Sequence, residues 1–104
     1  MIMSEQLPDY PMDYVKVEGE DCGDLVLYAL STCMWCKKTK QLLDEMNVAH
    51  RYLYVDLLDK DAKKEAMMEM AKHNNSGSFP LIVIDGEDTI LGFKEEEIRR
   101  LSKR

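Results

Sequence analysis

The sequence has no long apolar run. The longest, Leu25 to Leu30 and Leu81 to Ile84, fall far short of the ~20 residues a membrane-spanning helix needs. It has no excess of positive charge: 14 Lys and Arg stand against 20 Asp and Glu, a net charge of −6. That balance excludes a nucleic-acid module, which needs a basic face to neutralise phosphate. The N-terminus carries no basic stretch followed by an apolar one, so no secretory signal is read and a cytoplasmic protein is expected. Cysteine is scarce, at three residues. Three make a poor structural framework, and in the cytoplasm disulfides are rare and mostly catalytic or redox-sensing.

What is present is the composition of one ordinary globular domain: 104 residues, 45% apolar and 33% charged. Residues 1–23, with Pro8, Pro11 and tyrosines in no clear period, read as an N-terminal extension in which Val15-Lys16-Val17 alternates like a short edge strand. Residues 24–104 read as the domain itself. Leu25 to Leu30 is a continuous apolar run of strand length, suited to a central strand covered on both faces. Ser31 and Thr32 then offer capping hydroxyls for a helix start. Thr39, Leu42, Leu43 and Met46 fall on one helical stripe, and Asn47 is a helix stop.

Arg51 to Val55 is a second strand. Asp59 and Asp61 open a second helix with apolar positions Ala62, Ala66, Met67, Met70 and Ala71. After an Asn-Asn-Ser-Gly-Ser loop, Pro80 leads into a third strand, Leu81 to Ile84. Asp85-Gly86 signals a hairpin returning through Thr89-Ile90-Leu91, and Ile98 and Leu101 mark a last helix. The element order is β-α-β-α-β-β-α, an α/β domain with its first two strands parallel through a crossover helix.

Cys33-Met34-Trp35-Cys36 sits where the first strand gives way to the first helix. A helix N-terminus favours an anion, and a thiolate is one. An ordinary thiol has a pKa of ~8.5; in such motifs it falls to ~3.5–7.5. Lys37 and Lys38 push the same way. Cys33 is therefore the expected nucleophile. Cys36, one turn on and facing inward, is the expected resolving thiol. The alternative of a structural zinc domain needs four ligands, and no second C-x-x-C exists; Cys22, Cys33, Cys36 and His73 are a set that could be assembled on paper.

Tyr28…Cys33-Met34-Trp35-Cys36…Thr39-Lys40, then Ser78-Phe79-Pro80-Leu81, then Leu91-Gly92-Phe93, together resemble the glutaredoxin family over roughly residues 25–101. The resemblance implies a thioredoxin-like fold: a four-stranded mixed sheet with helices on both faces. It implies thiol–disulfide exchange on protein or mixed disulfides, with a reversible Cys33–Cys36 disulfide, no other cofactor and no metal. It implies a cis Phe79-Pro80 bond, and a substrate-binding surface of Trp35, Lys37, Phe79, Pro80, Gly92 and Phe93. Where glutaredoxins carry a lysine that helps hold glutathione, this chain has Leu30. Leu91-Gly92-Phe93-Lys94 replaces the Gly-Gly of the family and is similar to the NrdH-redoxin subgroup. That subgroup implies thioredoxin reductase as electron donor and disulfide-containing proteins such as ribonucleotide reductase as targets. Another small thiol, such as coenzyme M or a bacillithiol-type compound, is the other donor the resemblance leaves open. The family also implies an alternative, a module holding a [2Fe–2S] cluster between two chains. A monomer is expected, with no nucleic-acid or membrane partner.

The remaining candidates have plainer readings. Cys22 lies among Glu20 and Asp21, which disfavour its thiolate, so it reads as a spectator. Met67 and Met70 read as core packing. His50 and His73 fit no nucleophile–base pattern, and His73 reads as a helix-end cap.

Overall fold

The computed structural model describes residues 14–104. The expected extension is thus described only from Tyr14 onward; residues 1–13 lie outside it. In chain order the elements are β1 (Val15–Val17), β2 (Leu25–Ala29), α1 (Met34–Glu45), β3 (His50–Tyr54), α2 (Lys60–His73), β4 (Leu81–Ile84), β5 (Asp88–Leu91) and α3 (Glu95–Arg100). Short 3-10 turns follow β3 and α3.

The central strand shows how local chemistry sets the sheet. β2 is buried along its whole length. It is central because it pairs in parallel with β3 on one side and antiparallel with β4 on the other. Its alternation splits the core in two. Leu25, Leu27 and Ala29 join Leu42, Leu43, Ile82, Ile90 and Ile98 on the face covered by α1 and α3. Val26 and Tyr28 join Leu53, Val55, Ala66, Met70 and Val83 under α2. Each large aliphatic side chain so buried contributes about 1.5–3 kcal/mol.

Helix boundaries track their end residues. Asn47 stops α1 in the left-handed region, at φ 56°. Asp59 caps α2 by accepting the Ala62 N–H at 2.8 Å. In the three-residue β4–β5 connection, Asp85 (φ 54°) and Gly86 (φ 69°) both lie in the left-handed region, as the central positions of a primed turn require, and the Glu87 N–H closes on the Ile84 carbonyl at 3.0 Å.

The structure corrects three expectations. The sheet among the described residues has five strands, not four, in the order β1-β3-β2-β4-β5. The added strand is Val15–Val17, which pairs antiparallel with β3 through Lys16 opposite Arg51. Ala71 is exposed, because α2 turns only Ala66 and Met70 fully inward, with Ala62 and Met67 at the margin. Ser31 and Thr32 do not cap α1; Cys33 does. Among the described residues no helix is long and apolar enough to cross a membrane.

His50 is buried, with Nδ1 2.8 Å from the Val48 carbonyl and, among the described residues, no hydrogen-bond partner for Nε2, which lies 4.0 Å from Asp44. Burial holds its pKa below the usual 6.5. His73 ends α2, 3.6 Å from Glu69.

Candidate active site

Cys33 occupies the N-cap of α1 with extended backbone, φ −93° and ψ 120°. Its Sγ accepts the Cys36 backbone N–H at 3.2 Å. This sulfur thus takes the place that a Ser or Asp oxygen takes in an ordinary cap, against one of the orphan donors of the first turn. The Cys33 N–H donates to the Leu30 carbonyl at 3.2 Å, which fixes the corner between β2 and α1. Cys33 is half-buried and rests on the core beneath α1 and α3.

Cys36 differs in every respect. It is 1% exposed. The Leu30 N–H points at its Sγ from 3.5 Å. Burial, and next the side-chain hydrogen bond with Cys33, push its thiol up to about 12, while the Leu30 N–H pulls the other way. The pair is therefore chemically unequal: one sulfur at the surface against a helix N-terminus, one buried and held as a thiol.

Around the pair stand the other residues expected from the sequence. Trp35 is 57% exposed and stacks on Phe93, with ring centroids 5.7 Å apart and planes at 24°. The lysine that meets this aromatic surface is Lys38, 5.7 Å from the Trp35 ring. Lys37 is exposed and donates its backbone N–H to the Cys33 carbonyl at 3.1 Å. Lys40 faces elsewhere, paired with Asp44 at 2.9 Å and lying over the Tyr52 ring. The Phe79–Pro80 bond is cis. Pro80 is buried and its carbonyl accepts the Gly92 N–H at 2.8 Å, which ties the proline loop to the Gly92-Phe93 loop. Gly92 has φ 85°, so a side chain there is strained even though space is open. Phe79 is half-buried at the seam of the two cores.

Cys22 lies apart from the pair. It is buried at 6% exposure in the core beneath α1 and α3, with its carbonyl taking the Arg104 Nε–H at 3.0 Å. Among the described residues no three His, Cys, Asp or Glu side chains converge to hold a metal ion, so the set Cys22, Cys33, Cys36 and His73 is not brought together.

Two features escaped the sequence. One is the Trp35–Phe93 stack, between the first turn of α1 and the loop after β5. The other is Asp56, whose carboxylate accepts the Ser31 N–H at 2.8 Å and the Ser31 hydroxyl at 2.6 Å. Both bonds hold the Asp56 carboxyl below its usual range. An aspartate just past a strand was the only available signal, and aspartates are common there for turn chemistry alone.

Comparison with known proteins agrees with this geometry. The glutaredoxin family model matches residues 25–89. A glutaredoxin-like 8.6 kDa protein of the rubredoxin operon of Clostridium pasteurianum is 35% identical over 78 residues, 75% of this chain and 96% of that one. Among solved structures, Methanosarcina acetivorans methanoredoxin is 42% identical with a TM-score of 0.83. The glutaredoxin from Methanosarcina mazei Go1 is 40% identical with a TM-score of 0.80. Both alignments cover 92% of this chain and 100% of the other. With its cysteine pair at the head of α1 and its thioredoxin-like fold, the chain belongs to the glutaredoxin family.

Proposed function

We propose that this protein is a dithiol–disulfide oxidoreductase in which Cys33 attacks and Cys36 resolves. The observation that carries this reading is the inequality of the two sulfurs: Cys33 caps a helix N-terminus at the surface, and Cys36 is a buried thiol one turn away.

The chemistry runs in two exchanges. The Cys33 thiolate attacks one sulfur of a substrate disulfide. A new Cys33–substrate S–S bond forms, and the other substrate sulfur leaves with the electron pair and takes a proton from water. Cys36 then gives its proton to solvent and attacks Cys33 Sγ; the Cys33–Cys36 bond forms and the second substrate thiolate leaves. The substrate gains two electrons and the protein loses two. The high pKa of Cys36 suits this order. Its second cause is the side-chain hydrogen bond with Cys33. That bond is altered once Cys33 Sγ is committed to a mixed disulfide, which relieves part of the resistance to ionisation when Cys36 has to react.

Trp35, Lys37, Phe79, Pro80, Gly92 and Phe93 form the substrate surface in this reading. Trp35 and Phe93 supply an aromatic wall, and aromatic anchors favour protein partners. Leu30 leaves no charge where a glutathione carboxylate is held in other glutaredoxins. This favours the NrdH-redoxin-like reading, with thioredoxin reductase or a small thiol other than glutathione as donor. It also weighs against a cluster-holding module, which takes two of its ligands from glutathione.

Donor preference is tested by following Trp35 fluorescence and free thiols in oxidised protein. Parallel samples receive glutathione with its reductase, NADPH with thioredoxin reductase, coenzyme M or bacillithiol. Glutathione is expected to be at least about tenfold slower than the best donor, a difference of roughly 1.4 kcal/mol. Glutathione as the fastest donor overturns the NrdH-like reading.

A further inference from the structure

The Ser31–Asp56 contact joins the loop before the cysteine motif to the turn after β3, across 25 residues of sequence. Asp56 accepts from both the N–H and the hydroxyl of Ser31, at 2.8 and 2.6 Å. The residue before Ser31 is Leu30, whose two backbone groups serve the two cysteines. Its N–H faces Cys36 Sγ at 3.5 Å, and its carbonyl takes the Cys33 N–H at 3.2 Å. The corner that presents the sulfurs to each other is thus clamped from outside by one carboxylate.

We infer that Asp56 is a positioning residue for the resolving step, holding the Leu30–Ser31 corner so that Cys36 Sγ is aligned for attack on the Cys33 sulfur. This inference rests on the two-thiol reading above. Charge-assisted hydrogen bonds of this length are the stronger kind, and two on one residue fix its orientation. Attack on a disulfide needs the incoming sulfur in line with the bond that breaks, so a small misplacement is costly.

The same carboxylate also acts on Cys36 through its charge, and this separates two roles. Its charge disfavours the Cys36 thiolate, as the last of several causes. If charge were its main influence, removing it would speed resolution. If position is its role, removing it slows resolution. The two accounts differ in sign.

The experiment uses full-length protein in single turnover with a symmetric disulfide of a chromogenic thiol, so that each exchange releases one coloured thiolate. The first phase reports attack by Cys33 and the second reports resolution by Cys36. For Asp56→Ala the second phase is expected to slow by about tenfold, with mixed disulfide accumulating in intact-mass spectra, while the first phase changes by less than about twofold. Asp56→Asn keeps one oxygen acceptor without the charge and is expected to fall between Asp56→Ala and wild type. Ser31→Ala removes only the hydroxyl bond, guards against an unfolded Asp56→Ala, and is expected to slow the second phase by about threefold. A second phase as fast as wild type in folded Asp56→Ala, or faster in Asp56→Asn, overturns the inference. So does an equal slowing of both phases, which a merely structural role would give. Cys36→Ser serves as the control on the underlying reading. If it still resolves, the two-thiol scheme fails; if it stops at the mixed disulfide while Asp56→Ala resolves normally, only the role of Asp56 fails.

Discussion

Cys33→Ser is expected to abolish disulfide reduction, with turnover falling about a thousandfold or more, roughly 4 kcal/mol of lost transition-state stabilisation. A serine hydroxyl at the N-cap still accepts the Cys36 N–H, so the helix start survives and the loss is chemical rather than structural. Cys36→Ser is expected to behave differently. Cys36 lies buried below the surface, so the first attack does not need it. The variant should still exchange with small mixed disulfides within a few-fold of wild type. It should lose dithiol turnover on protein disulfides by about a hundredfold and accumulate the trapped Cys33 adduct. Steady-state assays on both substrate classes, with intact-mass spectra, check this. Equal loss on both substrates in Cys36→Ser contradicts the assigned roles, as does full activity in Cys33→Ser.

The largest expected effect on stability comes from Leu43→Ala. Leu43 is 0% exposed on α1 and belongs to the core on which Cys33 and Phe93 also rest. Removing its branched end leaves a cavity that neighbours fixed in strands β2 and β4 fill only in part, at a cost of about 2–5 kcal/mol. Against a total of about 5–15 kcal/mol for a domain, that is a large share. Equilibrium denaturation should show a lower midpoint with an unchanged slope. Met68→Ala is the control: Met68 is 59% exposed on α2, and its loss should stay within about 0.5 kcal/mol. A cost below about 1 kcal/mol at Leu43 contradicts its place in the core. The same helix carries Cys36 and is capped by Cys33.

What could be read in advance follows the range of the interactions. The run from Leu25 to Ala29 was legible as a central strand because burial on both faces demands unbroken apolar residues. The stripe of Thr39, Leu42 and Leu43 was legible because the helical period places them on one face; all three are buried. Met46, on the same stripe, ends as the half-buried C-cap. Asp85-Gly86 was legible because few residue pairs suit two left-handed positions.

The features that stayed hidden depend on distant partners. Val15–Val17 alternates as the edge strand it becomes, but its pairing with β3, rather than with another edge, was not legible in three residues. Ser31 had a local option as a helix cap and a distant one in Asp56; the fold took the distant one. Trp35 and Phe93 were both expected at the substrate surface, but their stacking needed the loop after β5 in place. Ala71 followed the apolar count of α2 without its exact facing, since a one-position rotation turns a marginal residue out to solvent.

The central claim is that one reversible disulfide, Cys33–Cys36, carries the activity. It is tested most directly by counting and mapping thiols. Reduced protein, unfolded and alkylated, should take label on all three cysteines. Protein first exposed to an equivalent of a disulfide substrate should take label on Cys22 alone, and digestion with chymotrypsin, which cuts after Tyr28 and Trp35, should leave Cys33 and Cys36 in one disulfide-linked peptide pair separate from Cys22. Labelling of all three cysteines after that exposure, or a linkage through Cys22, would contradict the account.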